Sequence, residues 1–361
     1  MNKRILTGVL AAVMAVSLTA CSDSKESGGS RPANNSTKNN SKNSIVNEIK
    51  SEITNSGTPS MPMESTVNSQ PGAPVYADDP SIVYSPAEDF EYWYDEAAGG
   101  TMIRGYIGAG GEVAIPKEID GKPVTIIDQN TFKDNASITS IYIPSTIKKI
   151  DKSAFEKCTA LETVTLVNGL ETIGWNAFYN CEKIKNIEIP DTVTMLDGTT
   201  NERIYQNPEH GIFGRCTSLE TVVIGKGVSE IPSYCFQNCT SLKRITIPGN
   251  VKTIGNAAFT YCTNLETAVL EEGVERIGRP EDAFSESCVF SYCTSLTNVT
   301  LPETVKFITA YAFSYCTSLT DFEVPSNSTI NGIKVFSGST NIKAKFRGKT
   351  YTYDQLSNLS N

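Results

Sequence analysis

From about residue 113 onward the apolar positions recur with a fixed period. Phe marks it, at positions 132, 155, 178, 213, 236, 259, 290, 313 and 336, and six of the eight intervals are 23 residues. The other two are 35 and 31 residues. A period kept to the residue across insertions is the signature of a stacked repeat. Segments such as NCTSLKRITIPGNVKTIGNAAF define the unit, Cys-Thr-x-Leu-x-x-Val-x-Ile-Pro-x-x-Val-x-x-Ile-Gly-x-x-Ala-Phe. Its first motif, Leu-x-x-Val-x-Ile, is seen in Leu242, Ile245 and Ile247, the last two alternating as in a strand. Pro248 then ends the run, because proline cannot donate to a ladder. The second motif, Val-x-x-Ile-Gly, is seen in Val251, Ile254 and Gly255, followed by a tight segment that inserts Phe259. A single unit has no second face to cover its apolar side chains, so the units must stack. The pattern predicts a mainly β solenoid of 23-residue coils, each strand pairing in parallel with its counterpart one coil on.

Solenoid ends expose unpaired strands and open core, so caps are expected. Residues 88–111 read as a β-hairpin, with Phe90, Tyr92 and Tyr94 alternating before a turn at Ala97-Ala98-Gly99-Gly100. Residues 341–353 read as a second strand pair. The expected organisation is a signal peptide over 1–20, a tether over 21–75, an N-terminal cap over 76–115, the solenoid over 116–336, and a C-terminal cap and tail over 337–361.

The repeat closely resembles the BspA-type leucine-rich repeats of bacterial surface proteins, over about residues 100–340. That resemblance implies a curved leucine-rich-repeat solenoid with a parallel sheet along one face. It also implies a role in adhesion, or in binding molecules of host or neighbouring cells, without implying one ligand. The departures are the two long intervals and the final repeat, where Asn331 replaces the usual Ile.

The N-terminus carries Asn2-Lys3-Arg4 and then an uncharged run of 16 residues over 5–20, shaped like a secretory signal and short for a spanning helix. It ends in Leu18-Thr19-Ala20-Cys21, which resembles the bacterial lipobox. The resemblance implies a lipid on the Cys21 thiol and cleavage just before it, the alternative being an ordinary signal that ends near a cysteine. Several acyl chains, at ~0.8 kcal/mol per buried methylene, would hold the mature chain on a membrane surface. Residues 22–74 contain 33 Ser, Asn, Thr, Gly or Pro among 53, and no aromatic precedes Tyr76. Such a stretch cannot offset its ordering entropy and is expected to be a disordered spacer.

Charge and chemistry narrow the function. With 31 Lys+Arg against 40 Asp+Glu the formal charge is −9, which opposes nucleic-acid binding and leaves the lipid as the membrane contact. The only histidine, His210, excludes centres that need two imidazoles, and no cofactor site is suggested. Seven of the ten cysteines, Cys158, Cys181, Cys216, Cys239, Cys262, Cys293 and Cys316, stand three residues after a marker Phe. The first and last repeats carry Asn135 and Ser339 there. One per coil and pointing the same way, these side chains read as a packed thiol ladder rather than a metal site, which needs convergent ligands, with disulfides or metal as the alternative. Cys235 falls at a small core position, and Cys288, in an insertion, is expected to be the accessible thiol.

Both insertions fall between Ile-Gly and Phe, within 197–212 and 278–289. They carry Arg203, Tyr205, His210 and Arg279, candidates for ligand contact, although tolerated surface loops are the plainer reading. Tyr261, Tyr292 and Tyr315 follow three consecutive marker Phe residues by two places; such a file could receive a sugar or a protein, or shield the thiols beside it. The strand positions expected to face solvent include Ser140, Tyr142, Thr163, Thr165, Thr221, Val223, Arg244 and Thr246. No phosphate loop, nucleophile elbow or Cys paired with a motif His occurs, while a glycosidase-like carboxylate pair stays open. The chain therefore reads as a non-enzymatic, membrane-anchored surface lipoprotein that binds a protein ligand. A glycan-capturing or glycan-processing accessory lipoprotein and a structural envelope spacer are the alternatives.

Overall fold

A computed structural model of the chain describes residues 77–96, 99–197, 211–279, 287–330 and 332–356. Each repeat forms one coil of a parallel β-solenoid. The Leu-x-x-Val-x-Ile motif builds the long ladder, in which Arg244–Ile247 pairs with Thr267–Leu270, Ile245 lying beside Ala268 and Ile247 beside Leu270. Period-two alternation buries Ile245 and Ile247 and leaves Arg244 and Thr246 in solvent. The repeat pattern predicts a parallel sheet along one face; the Val-x-x-Ile motif adds a second ladder of two-residue strands, such as Thr253–Ile254 on Arg276–Ile277. Stacking in register satisfies the main chain on this side too.

The third side of each coil is the segment around the marker Phe. In the coil of Phe236, the amides of Tyr234, Phe236 and Asn238 donate to the carbonyls of Asn256, Ala258 and Thr260 at 2.8–2.9 Å. Left-handed residues two places before and two places after the Phe turn these alternate amides the same way. In this coil they are Tyr234 (φ 63°) and Asn238 (φ 59°), and Tyr311 and Tyr315 occupy the same places around Phe313. Such a conformation costs an ordinary side chain ~1–2 kcal/mol, offset here by the bonds to the next coil.

The core is a column of Phe rings. From Phe132 to Phe313 successive rings stack with centroids 4.8–5.5 Å apart and planes within 12°. The pair flanking the 35-residue interval, Phe178 and Phe213, stacks at 5.5 Å like its neighbours, so the insertion leaves the coil register intact. The Gly of Ile-Gly has a steric cause. A Cβ on Gly255 would lie 2.4 Å from the Ser233 amide nitrogen, and one on Gly174 would lie 2.6 Å from that of Lys152. In these two coils glycine permits the close pass, whereas Asp128, Asp151 and Thr309 hold the same place in other coils.

An antiparallel hairpin of β1 (Phe90–Asp95) and β2 (Gly100–Tyr106) closes the N-terminal end, with β2 continuing in parallel onto Lys122–Ile127. The long ladder starts at Gly111–Ala114. It finishes at Lys343–Phe346, which folds back in a second hairpin with Lys349–Thr352. No helix among the described residues is long and apolar enough to cross a membrane.

Two expectations are corrected. Cys288 is not an accessible thiol: it is 5% exposed, at a left-handed position two residues before Phe290. Tyr142 does not face solvent: it is 7% exposed, because residues 77–86 lie over it as a strap.

Candidate ligand-binding surface

The outer face of the long ladder is divided between the strap and open sheet. Ile82 and Tyr84 pack on Ala114, Tyr142 and Val167, and the Tyr84 and Tyr142 rings meet edge to face at 6.3 Å. Asp78 is the latch. It accepts from the Ser145 amide at 2.9 Å and the Ser145 hydroxyl at 2.5 Å, and pairs with Lys117 at 2.9 Å. Partial burial alone would raise the Asp78 pKa, but the Ser145 hydroxyl, Lys117 and the Ser145 amide together hold it below the usual value. The strap therefore spans the first three strands of the ladder, and its chemistry is a carboxylate followed by two alternating apolar side chains.

Beyond the strap the ladder is interrupted in three places. Thr163–Leu166 does not pair with Asn186–Glu188, nor Thr221–Val223 with Arg244–Ile247, nor Asn298–Thr300 with Asp321–Glu323. At each break the inward-facing side chain of the preceding strand, Val164, Val222 or Val299, is only partly buried. Its counterparts Ile141, Ile187, Ile245, Ala268 and Phe322 are at most 3% exposed. Parting the strands opens the core to solvent.

The middle break forms a cleft of about 570 Å³ lined by Glu220, Val222, Val223, Lys243, Arg244 and Thr246, among others. Val223 stands 47% exposed at its lip. Lys243 and Arg244 are exposed and make no ion pair among the described residues, so they bring positive charge to the face of an acidic chain. The clips on either side are side-chain bonds: Thr240 donates to the Thr217 carbonyl at 3.3 Å, and Asn250 to the Val228 carbonyl at 2.7 Å. The walls are thus held while the strands between them separate. An apolar floor with convergent polar and basic groups is the usual make-up of a recognition site.

The residues singled out in the sequence are not brought together. Cys21, Arg203, Tyr205 and His210 lie outside the described residues. Arg279 is turned back onto the solenoid: Nε donates to Glu230 at 2.7 Å, a second guanidinium nitrogen reaches the same carboxylate, and its amide donates to Asn256 at 3.0 Å. Its charge ties two coils together. Tyr261, Tyr292 and Tyr315 do form a file, with ring centroids 4.6 and 4.5 Å apart. Gly338 continues it, and a Cβ there would fall 2.6 Å from the Tyr315 ring. Tyr292 and Tyr315 therefore have both ring faces covered by their neighbours in the file.

Cys158, Cys181, Cys216, Cys239, Cys262, Cys293 and Cys316 are buried free thiols. Each donates to the carbonyl of the marker Phe one coil back, from Cys158 to Phe132 at 3.0 Å through to Cys316 to Phe290 at 3.1 Å. Burial pushes the thiols of Cys216, Cys262 and Cys316 up to about 12, and those of Cys181, Cys239 and Cys293 well above the usual value. They are inert as nucleophiles at neutral pH. No cluster of His, Cys, Asp and Glu among the described residues could hold a metal ion.

Sequence reasoning missed the strap, the strand breaks and the exposed aromatics of the N-terminal hairpin. Only the strap left a signal, the alternating Ile82 and Tyr84 after Asp78-Asp79.

Among solved structures, the leucine-rich-repeat protein of Treponema pallidum is 26% identical, with 66% of this chain and 91% of that one covered and a TM-score of 0.46. A leucine-rich cell surface protein of Faecalibacterium prausnitzii is 19% identical, with 78% and 99% covered and a TM-score of 0.33. The pneumococcal vaccine antigen PcpA is 18% identical, with 74% and 81% covered and a TM-score of 0.36. No curated protein matches. Six copies of the BspA type Leucine rich repeat region match residues 125–204, 206–288 and 285–355, more than half of the chain. The chain belongs to the BspA-type leucine-rich-repeat family.

Proposed function

We propose that the protein is an exported bacterial surface module, anchored by a lipid on Cys21, that recognises a protein ligand on host or neighbouring cells. Recognition uses the open part of the long-ladder face, and the reading assigns the chain no catalytic step. The carrying observation is the cleft between Thr221–Val223 and Arg244–Ile247, where an apolar floor meets Lys243 and Arg244, with Glu220 beside them, on a chain of net negative charge. The strap supports the same reading, since an extended segment with a carboxylate and apolar side chains already docks on this face in cis. Residues 22–74 would act as the spacer that presents the face.

The test compares the mature chain with a Lys243→Glu/Arg244→Glu variant in quantitative capture from host-cell and bacterial-surface extracts, beside a saccharide array. A protein retained by the wild type and lost with the variant supports the reading. Saccharide binding in its place would favour a glycan-capturing lipoprotein, and equal capture by both chains would remove the cleft from the account. Mass analysis of the mature N-terminus, with Cys21→Ser as control, tests the anchor.

A further inference from the structure

Exposed apolar surface is unevenly placed. Of the seven large hydrophobic side chains most exposed among the described residues, five, Val83, Tyr92, Trp93, Tyr94 and Ile107, lie between residues 77 and 107. Three of them are consecutive on β1, with Trp93 64% exposed. Large aromatics in solvent are costly for a monomer and common at interaction hot spots.

β1 is also an edge. It pairs with β2 on one side only, and no strand among the described residues meets its other side. A sheet edge is a template for a further strand. Its two faces differ. Tyr92 and Tyr94 share one face, held from beneath: Tyr92 donates to Asp120 at 2.9 Å, and the Lys122 ammonium lies 4.7 Å from the centre of the Tyr94 ring. Glu91, Trp93 and Asp95 share the other. The Glu91 carboxylate leans over Gly105, where a Cβ would come within 2.6 Å of it. The aromatic file is thus buttressed from within the fold rather than loosely exposed.

Charge selects the occupant. Residues 88–96 contain Glu88, Asp89, Glu91, Asp95 and Glu96 and no basic residue. Antiparallel self-pairing centred on Trp93 would set Glu91 against Asp95, and parallel self-pairing would set Glu91 against itself. Like charges directly opposite are destabilising, so a second copy of this strand is disfavoured. A strand with basic residues two places either side of an apolar one is favoured, its charges falling opposite Glu91 and Asp95 and its apolar residue opposite Trp93.

We propose that the outer edge of β1 is a strand-addition site for an extended cationic segment of a partner protein, with Trp93 as the anchor and Glu91 and Asp95 setting the charge. This site is separate from the ladder cleft and does not depend on the reading given for it.

The probe is a dye-labelled peptide with the core Lys-Val-Ile-Val-Lys, titrated into the full mature chain and followed by anisotropy. Binding is expected to weaken about tenfold when both Lys are replaced by Glu, and by a similar factor in Glu91→Lys. Trp93→Ala is expected to weaken it further, and Lys243→Glu/Arg244→Glu to leave it unchanged. Circular dichroism confirms that each variant keeps the wild-type fold. Alternate N-methylation of the peptide gives the geometric readout. A strand offers one edge to β1 and the other to solvent, so one methylation pattern should abolish binding and the other should spare it. Equal binding of both patterns, indifference to peptide charge, or self-association of the chain that Trp93→Ala abolishes would each overturn the proposal.

Discussion

The Ser339 hydroxyl donates to the Phe313 carbonyl at 2.8 Å, the place and the acceptor that a cysteine thiol takes in each of the seven coils before it. The conserved feature of this position is a buried donor of small volume, which both side chains supply. Cys262→Ser should therefore fold with a melting temperature close to the wild type. Cys262→Ala removes the donor and leaves a small void, and should lose about 1 kcal/mol by urea denaturation.

The ladder makes stability sensitive to alkali. The folded thiols of Cys216, Cys262 and Cys316 are pushed up to about 12 by burial, while unfolded thiols ionise near 9. Between those values the unfolded chain loses protons that the folded chain retains, so ionisation favours unfolding. Stability should be complete below pH 9 and fall steadily toward pH 12. Thermal melts under reductant at pH 8, 10 and 11 check this, and replacing several ladder cysteines with serine should flatten the fall.

All nine described cysteines, Cys288 included, are buried. Native protein should resist alkylation at each of them, and denatured protein should take up label at all. Mass analysis of the two samples would expose any thiol that the fold leaves open.

The strap should release in acid. Asp78 titrates below the ordinary carboxylate value because Ser145 and Lys117 favour its charged form against the opposing effect of burial. Its contribution is present above the unfolded value near 3.8 and is lost as pH falls through the lowered one. Asp78→Asn should produce the same loosening at neutral pH, read as faster amide exchange over residues 77–86 and at Ser145, with the coils beyond Phe178 unchanged.

Phe236 sits mid-column, fully buried and stacked on both faces. Phe236→Ala should cost about 3–5 kcal/mol. Because each coil packs mainly on its neighbours, the loss should divide the unfolding transition rather than merely lower its midpoint. Chemical denaturation followed by amide exchange on both sides of the substitution distinguishes the two.

Much of the coil was legible in advance. The spacing of Leu242, Ile245 and Ile247 predicts a strand and its inward face, and the 23-residue interval predicts the parallel register between Ile245 and Ala268. The second ladder escaped notice because two residues, such as Thr253–Ile254, are too short to show an alternation. The left-handed pairs from Phe132 to Phe313 carry a mixed signal: Asn130, Asp134, Asn176 and Asn180 favour a positive φ, whereas Tyr234, Ala257 and Cys288 do not, and there the hydrogen bonds to the next coil impose it.

The site was far less legible. Arg279 looked available in the sequence, yet it is spent on Glu230, a residue 49 positions away. Tyr142 looked exposed, yet it is covered by a strap whose latch, Asp78, is 64 positions away. The repeat, the residues each coil buries and the column on which the coils stack can all be read from the chain, because these are local patterns written again in every unit. Where the strands part, which end of the sheet is covered and which charges remain open emerge only when the coils are packed. Those outcomes depend on the spacing between coils and on contacts from outside the repeat, and a periodic pattern carries information about neither.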